Sequence, residues 1–488
     1  MSLNHGVRIS EAQTPIVPTK QVDSAIPVVI GTAPLWKTAS YRTAGANVPL
    51  IAYDAAEAVL KLGDDTNWSS YTLCEFVKCF FTLYGMAPAV FINVFDPYGN
   101  ADHRNAEANV TQSLVAGALT LTSGTAVDDV LIDNVVVKSS DDVTTYDVDD
   151  DYLIDYDDDY HVVITRVADG DIPSATTSLK IYYETAKPSG VDADDIIAGI
   201  TKVDEVFTSL NKNAGCLVAP KWSMNTTVAA AMLAKAQDID DSFRCPVIVD
   251  VSTDASTGAD VYSEVAALKS GNSWADPHMF CCWPLVTKGD DTYYYSSHLA
   301  AAIAATDYNN NSVPFASPSN QLLSADGLVT AAGDSICMSR AQANSLNEAG
   351  VVTGIQWDGS WRVWGNWTAA FVSDTDPKDS QVCVRRMFDW IGNTIVRTFF
   401  SQVDSPLNRR TVERIEHSLN QWLSSLVAQG ALLYGKVRLL ASDNPVASLM
   451  SGSVSFRVDL TPVSAASDIA FTLAIDPDQY SVIWEEVA

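Results

Sequence analysis

Residues 71–94 read YTLCEFVKCFFTLYGMAPAVFINV. Residues 71–84 space their apolar side chains along one face of a helix. Residues 89–94 (AVFINV) are an unbroken apolar run suited to a strand buried on both faces. Upstream, residues 28–31 (VVIG) predict another buried strand and residues 53–62 a helix. Strand, helix and strand at this spacing signal an α/β architecture. The same text returns after residue 188. Residues 196–210 and 227–238 predict helices, and 216–220, 246–251 (PVIVDV) and 280–286 (FCCWPLV) predict strands. A short helix over 298–305, a loop over 317–323 (SPSNQLL) and irregular strands over 351–372 complete this part.

Residues 113–187 are different. Short β-like runs at 130–137, 152–156, 161–167 and 179–183 alternate with turn residues. The segment carries 16 acidic and 4 basic side chains, so it holds −12 of the chain's net charge of −30. It reads as a small all-β insertion with an acidic surface. The C-terminal hundred residues differ again. Residues 381–401 and 411–429 predict helices, the second opened by Ser405-Pro406 and closed by Gly430. Residues 454–460 (VSFRVDL) and 469–475 (IAFTLAI) alternate at period two, as strands do. The chain is therefore read as a mixed α/β, multidomain protein. Its parts are an extended arm (1–25), an α/β core (26–112 and 188–380), the insertion (113–187), a C-terminal helix-plus-strand domain (381–468) and a terminal strand or arm (469–488).

With 488 residues, 47% of them hydrophobic, the chain has ample material for buried cores. Its net charge of −30 makes nucleic acid and anionic membrane poor partners. No apolar run approaches the length of a membrane span, and residues 1–10 (MSLNHGVRIS) lack the apolar centre of a secretory signal. The eight cysteines form no CxxC pair and read as reduced thiols.

Residues 430–437 (GALLYGKV) have the glycine and lysine spacing of a phosphate-binding loop. However, Val437 stands where a magnesium-ligating hydroxyl belongs, and the motif follows a helix. The eight aspartates of residues 147–159 suit a solvated strand face better than calcium, because no EF-hand pattern is present. The six histidines are scattered, and neither HExxH nor GxSxG occurs. No catalytic, cofactor or metal residue is singled out. On the helix over 411–429, Val412, Ile415, Leu419, Trp422 and Leu426 share one face. Arg410, Arg414, His417 and Gln421 project from the opposite side, either as an ordinary solvated face or as a contact for an acidic partner.

Several stretches together resemble one family, the tail sheath proteins of contractile phages and related injection machines, and most resemble the phage Mu type. They are HGVRISEAQTPIVPTKQVDSAIPVVIGTAP near the N-terminus, DADDIIAGITKVDEVFTSL and GCLVAPKWSMNTTVAAAMLAKA in the centre, and the SPSNQLL loop. RMFDWIGNTIVRTFFSQVDSPLNRRTVERIEHSLNQWLSSLVAQGAL and VSFRVDLTPVSAASDIAFTLAID complete the set.

The resemblance implies a structural protein and no enzyme. Such a protein forms six-start helical tubes of hexameric rings around an inner tail tube and contracts to drive that tube through the host envelope during genome ejection. It implies baseplate and tail terminator proteins as further partners, no cofactor, assembly in the host cytoplasm and residence in the virion tail. It implies that terminal arms add strands to neighbouring subunits, through Val7, Arg8 and Ile9 at one end and Ile469, Phe471, Leu473 and Ile475 at the other. It also turns Arg410, Arg414, His417 and Gln421 toward the tube. The sheath of a bacteriocin-like or secretion-type machine is the alternative reading, and an α/β enzyme of unknown reaction a distant one.

Overall fold

The computed structural model describes residues 19–20, 23–38, 45–121, 129–157 and 160–481. Val7, Arg8 and Ile9 therefore lie outside the described residues. The first part of the body comprises β1 (Pro27–Gly31), β2 (Pro49–Ala52), α1 (Ala55–Leu62), α2 (Thr72–Val77) and β3 (Ala89–Asn93). Asp54 starts α1 by accepting from the Glu57 amide. The helix read over 71–84 changes winding half-way, because α2 continues as a π-helical stretch, Lys78–Leu83.

The acidic insertion is built of β4 (Ala108–Ser113), β5 (Ala118–Thr120), β6 (Val136–Ser139), β7 (Tyr152–Tyr156), β8 (Val162–Arg166) and β9 (Ser178–Tyr183). They form two three-stranded sheets, β4-β9-β6 and β5-β8-β7, around their own apolar cluster of Leu119, Val137, Ile164, Leu179 and Ile181. Two expectations are corrected. The β text starts before residue 113, since β4 pairs with β9 from Ala108↔Tyr183 to Ser113↔Ser178. Its sequence, ANVTQS, is mostly exposed and gave no apolar signal. Residues 130–137 are not one strand: a 3-10 turn, Ile132–Asn134, precedes β6.

The body resumes with α3 (Ala193–Thr201), α4 (Asp204–Leu210), β10 (Cys216–Val218), α5 (Thr226–Gln237), β11 (Val247–Asp250), α6 (Tyr262–Gly271) and β12 (Met279–Cys282). Next come β13 (Leu285–Lys288), β14 (Asp291–Tyr293), α7 (Tyr295–Asn309), β15 (Gly327–Val329), β16 (Ser335–Ile336), α8 (Arg340–Glu348), β17 (Val351–Trp357) and β18 (Ser360–Trp364).

The central sheet runs β18-β17-β12-β11-β10-β1-β3-β2, with parallel pairing throughout except at the two edge strands. Its side chains alternate between two apolar layers. Val28, Ile30, Val90, Ile92 and Val247 face α3 and α5, whereas Val29, Phe91, Val218 and Ile248 face α2 and α7. A parallel sheet covered on both faces explains why its strands read as continuous apolar runs.

The run FCCWPLV is not one strand. β12 stays in the central sheet, and β13 enters a separate sheet, β14-β13-β15-β16. Pro284 between them has no N–H to give a ladder. The helix expected over 298–305 is the middle of α7, a 15-residue helix buried along most of its length. Such a helix shows no amphipathic period from which to read its ends. Its N-terminus is capped by other segments: Tyr294 N donates to Glu75 Oε1 (3.2 Å) and Ser296 N to Asp250 Oδ1 (2.8 Å).

The chain ends with α9 (Pro377–Ser380), α10 (Val382–Phe399), α11 (Arg409–Ala428), β19 (Leu432–Arg438), α12 (Val446–Met450) and β20 (Arg457–Pro462). The cap of α11 is Asn408, which accepts from the Thr411 amide (3.0 Å), and not Ser405. Gly430 closes the helix at φ +78°. The phosphate-loop look-alike of residues 430–437 lies mostly in β19, whose extended backbone offers no cradle.

Candidate assembly interface

α10 and α11 share one apolar cluster with β19. Met387, Trp390 and Ile391 meet Leu419, Trp422, Leu423 and Leu426, with Leu432 and Val437 beneath them. The Trp390 and Trp422 rings lie 5.7 Å apart. Asn420 fixes α11 to β19 by accepting from Val437 N (2.8 Å) and donating to Val437 O (3.2 Å). The β19–β20 sheet has two strands only, and neither edge is paired to a further strand among the described residues. A two-stranded sheet is marginal by itself. Its cluster is also incompletely covered: Ile395, Phe399, Ile415, Phe456, Val458 and Leu460 are only partly buried against it.

From residue 466 to residue 480 every side chain is exposed. Residues 463–476 adopt no regular structure, so the strand read over 469–475 is absent from the single chain. Ile469, Phe471, Leu473 and Ile475 are 68, 87, 97 and 82% exposed. Among the described residues nothing covers these four apolar side chains.

The cationic face of α11 is narrower than its sequence suggests. Arg410 is exposed and has no partner among the described residues, and His417 and Gln421 are exposed as well. Arg414 is not free: it donates to Gln402 Oε1 (2.5 Å), and its Nε is buried without a partner. It braces the turn between α10 and α11. Arg409 is satisfied by Glu413 (2.6 Å).

Residues 374–476 match the model of the phage tail sheath C-terminal domain, which takes in α10, α11, both strands and the exposed segment. The tail sheath protein of Burkholderia phage BcepMu is 27% identical over 485 residues, covering 94% of this chain and 93% of that protein. The chain carries a phage tail sheath C-terminal domain and is similar along most of its length to a phage tail sheath protein.

Two solved sheaths share the fold of this chain. The contracted sheath of the PVC extracellular contractile injection system superposes with a TM-score of 0.57 at 12% identity, covering 98% of this chain and all of that one. The contracted helical sheath of the anti-feeding prophage gives 0.57 at 15% identity, covering 96% of this chain and 99% of that one.

Buried polar groups elsewhere in the chain serve its fold. Glu75 is fully buried and accepts from Ser297 Oγ (2.8 Å), and burial holds its carboxyl well above the usual carboxylate range. Asp250, also raised by burial, accepts from the Ser296 amide and hydroxyl and from Ser223 Oγ. His298 Nδ1 shares a hydrogen bond with Tyr84 Oη (3.1 Å), and that oxygen also accepts from the Ser324 amide (3.1 Å). Burial pushes this imidazole down to about 3, so it stays neutral. Glu75, Asp250 and His298 are themselves closed off from solvent. Sequence periodicity could not reveal them, because they lie on segments far apart in the chain.

Proposed function

We propose that this chain polymerises as the helical contractile sheath of a phage tail, around an inner tube, and contracts to drive that tube through the host envelope. The observation that carries the reading is the exposed period-two segment over 469–475 in the same domain as an open two-stranded sheet. In the polymer, Ile469, Phe471, Leu473 and Ile475 of one subunit extend the sheet of a neighbour. Their apolar face covers the partly buried cluster around Ile395, Phe399, Ile415 and Leu460. Val7, Arg8 and Ile9 play the corresponding part at the other end.

Head-to-tail pairing of this kind does not close on two subunits, so it generates a filament. Backbone hydrogen bonds hold neighbours together while the bodies shift to larger contacts on contraction. Arg410, His417 and Gln421 face the tube, whose surface would be acidic. The ends of the polymer meet baseplate and terminator proteins, and assembly takes place in the host cytoplasm before the sheath resides in the virion. A phage tail is preferred over a bacteriocin-like or secretion-type machine because the full-length relative in sequence is a phage protein.

The test is negative-stain microscopy of purified chain with and without Phe471→Asp. Tubes from the parent chain and none from the variant, with equal melting curves, are expected because Phe471 is 87% exposed and supports no core. Tubes of normal length from the variant would refute the strand-exchange reading.

A further inference from the structure

Arg386 of α10 is 3% exposed and Asp307 of α7 is 2% exposed. The guanidinium grips the carboxylate with both arms, Nη1 to Oδ1 at 3.0 Å and Nη2 to Oδ2 at 2.5 Å. Nη2 also donates to the carbonyl of Ser24 (3.2 Å), and the Ser24 hydroxyl donates to Asp307 Oδ2 (2.5 Å). Three segments far apart in the chain therefore meet on one buried ion pair. Ser24 stands just before β1, at the point where the N-terminal segment joins the body. A second tie lies further along α10, where Lys20 N donates to the buried Thr398 Oγ1 (2.9 Å). Asp23 is held from the other side by Lys212 (2.9 Å).

A buried Arg–Asp pair seldom stabilises a fold more than well-packed apolar groups would, because both ions lose their water. Its bidentate geometry, however, admits a single seating. The rest of the contact between α10 and the body is also directional. Asn393 donates to Arg244 O (2.7 Å) and accepts from Arg244 N (3.0 Å), and Arg397 donates to Asn213 Oδ1 (3.1 Å). An adjoining face of α10, with Met387, Trp390 and Ile391, is packed into the apolar cluster beneath the acceptor sheet.

We infer that Arg386, Asp307 and Ser24 form a latch that fixes where the N-terminal arm leaves the body and couples that arm to α10. The inference rests on the reading of the terminal segments as intersubunit arms. A pull on the arm reaches Ser24 first, passes through the ion pair to α10, and continues through the Trp390–Trp422 contact to the sheet that receives a neighbour's strand. The arm sent out and the arm received are thus joined through one helix, and the central sheet is bypassed.

Two double variants of the full chain test this. Arg386→Met with Asp307→Leu removes both charges together. Ser24→Ala with Thr398→Val removes the two side-chain bonds that hold the arm and leaves the ion pair and its bond to the residue 24 carbonyl, so it decides the matter if the first pair fails to fold. Hydrogen exchange over residues 23–26 should rise about tenfold with the loss of a buried hydrogen bond, the main thermal transition should stay within a few degrees, and tubes should become scarce. Unchanged exchange, or faster exchange with tubes of normal yield, would overturn the latch. Deletion of residues 1–18 separates the two readings: full tube yield after it sinks the arm reading, whereas lost tubes with unaffected double variants sink only the latch.

Discussion

Glu75 and Asp250 reach the N-terminus of α7 from two different segments and hold its first amides, so two carboxyls sit in the same dry pocket beside one helix end. The helix dipole favours negative charge there, but full burial works against it and raises both groups. The folded chain therefore binds more protons than the unfolded chain above the usual carboxylate range. That contribution to stability is complete below the unfolded value and is lost as pH rises through the raised folded values. Glu75→Gln should accordingly lower stability less at pH 8 than at pH 5 relative to the parent, by on the order of 1 kcal/mol. Thermal melts at the two pH values check this; equal differences would refute it. At the surface, Arg410→Glu should weaken attachment of the extended sheath to purified tubes at low salt and leave the melt unchanged, because one exposed contact contributes only about 0.2–1 kcal/mol. Arg414→Glu should lower the melt as well, since it breaks the tie to Gln402. Co-sedimentation and melting curves separate the two. The sequence showed that both arginines lie off the apolar stripe of α11. It could not show the bond to Gln402, which depends on how the preceding turn folds back.

Leu131 shows why the insertion is more than an appendage. It is fully buried in the same cluster as Val28 and Trp36 of the body, and Tyr156 of β7 meets Trp36 edge-on at 6.2 Å. Lys37 adds a second bond across the joint, bridging Asp65 of the body (3.3 Å) and Asp129 of the insertion (2.9 Å). Leu131→Ala should therefore destabilise the whole chain by about 2–5 kcal/mol, and Leu153→Ala on the exposed side of β7 by less than about 0.5 kcal/mol. Chemical unfolding followed by tryptophan fluorescence would show the contrast; similar values would mean that the insertion unfolds independently. The strands most legible in sequence were those buried on both faces, such as β1, β3 and β11, whose apolar runs have no competing explanation. β4 was missed because its partner β9 lies far along the chain and its own residues face solvent. The segment over 469–475 was legible as a strand and yet is none in the single chain, because a strand needs a neighbour.

At the scale of the molecule, a net charge of −30 opposes the packing of identical subunits, while the contacts proposed to join them are apolar and main-chain. Polymerisation should therefore be favoured by added salt up to physiological strength, where the Debye length is about 8 Å. Attachment through Arg410 should respond in the opposite sense. Light scattering of purified chain across a salt series, with and without tubes, distinguishes these trends; polymerisation that salt suppresses would point to ionic contacts between subunits. The exposed C-terminal segment has one more consequence. Residues 466–480 are exposed in the single chain and so open to a peptidase, whereas the proposed strand between neighbours would put their backbone out of reach. The lifetime of a subunit in the infected cell would then depend on whether it has found a place in a tail, with surplus copies cleared first.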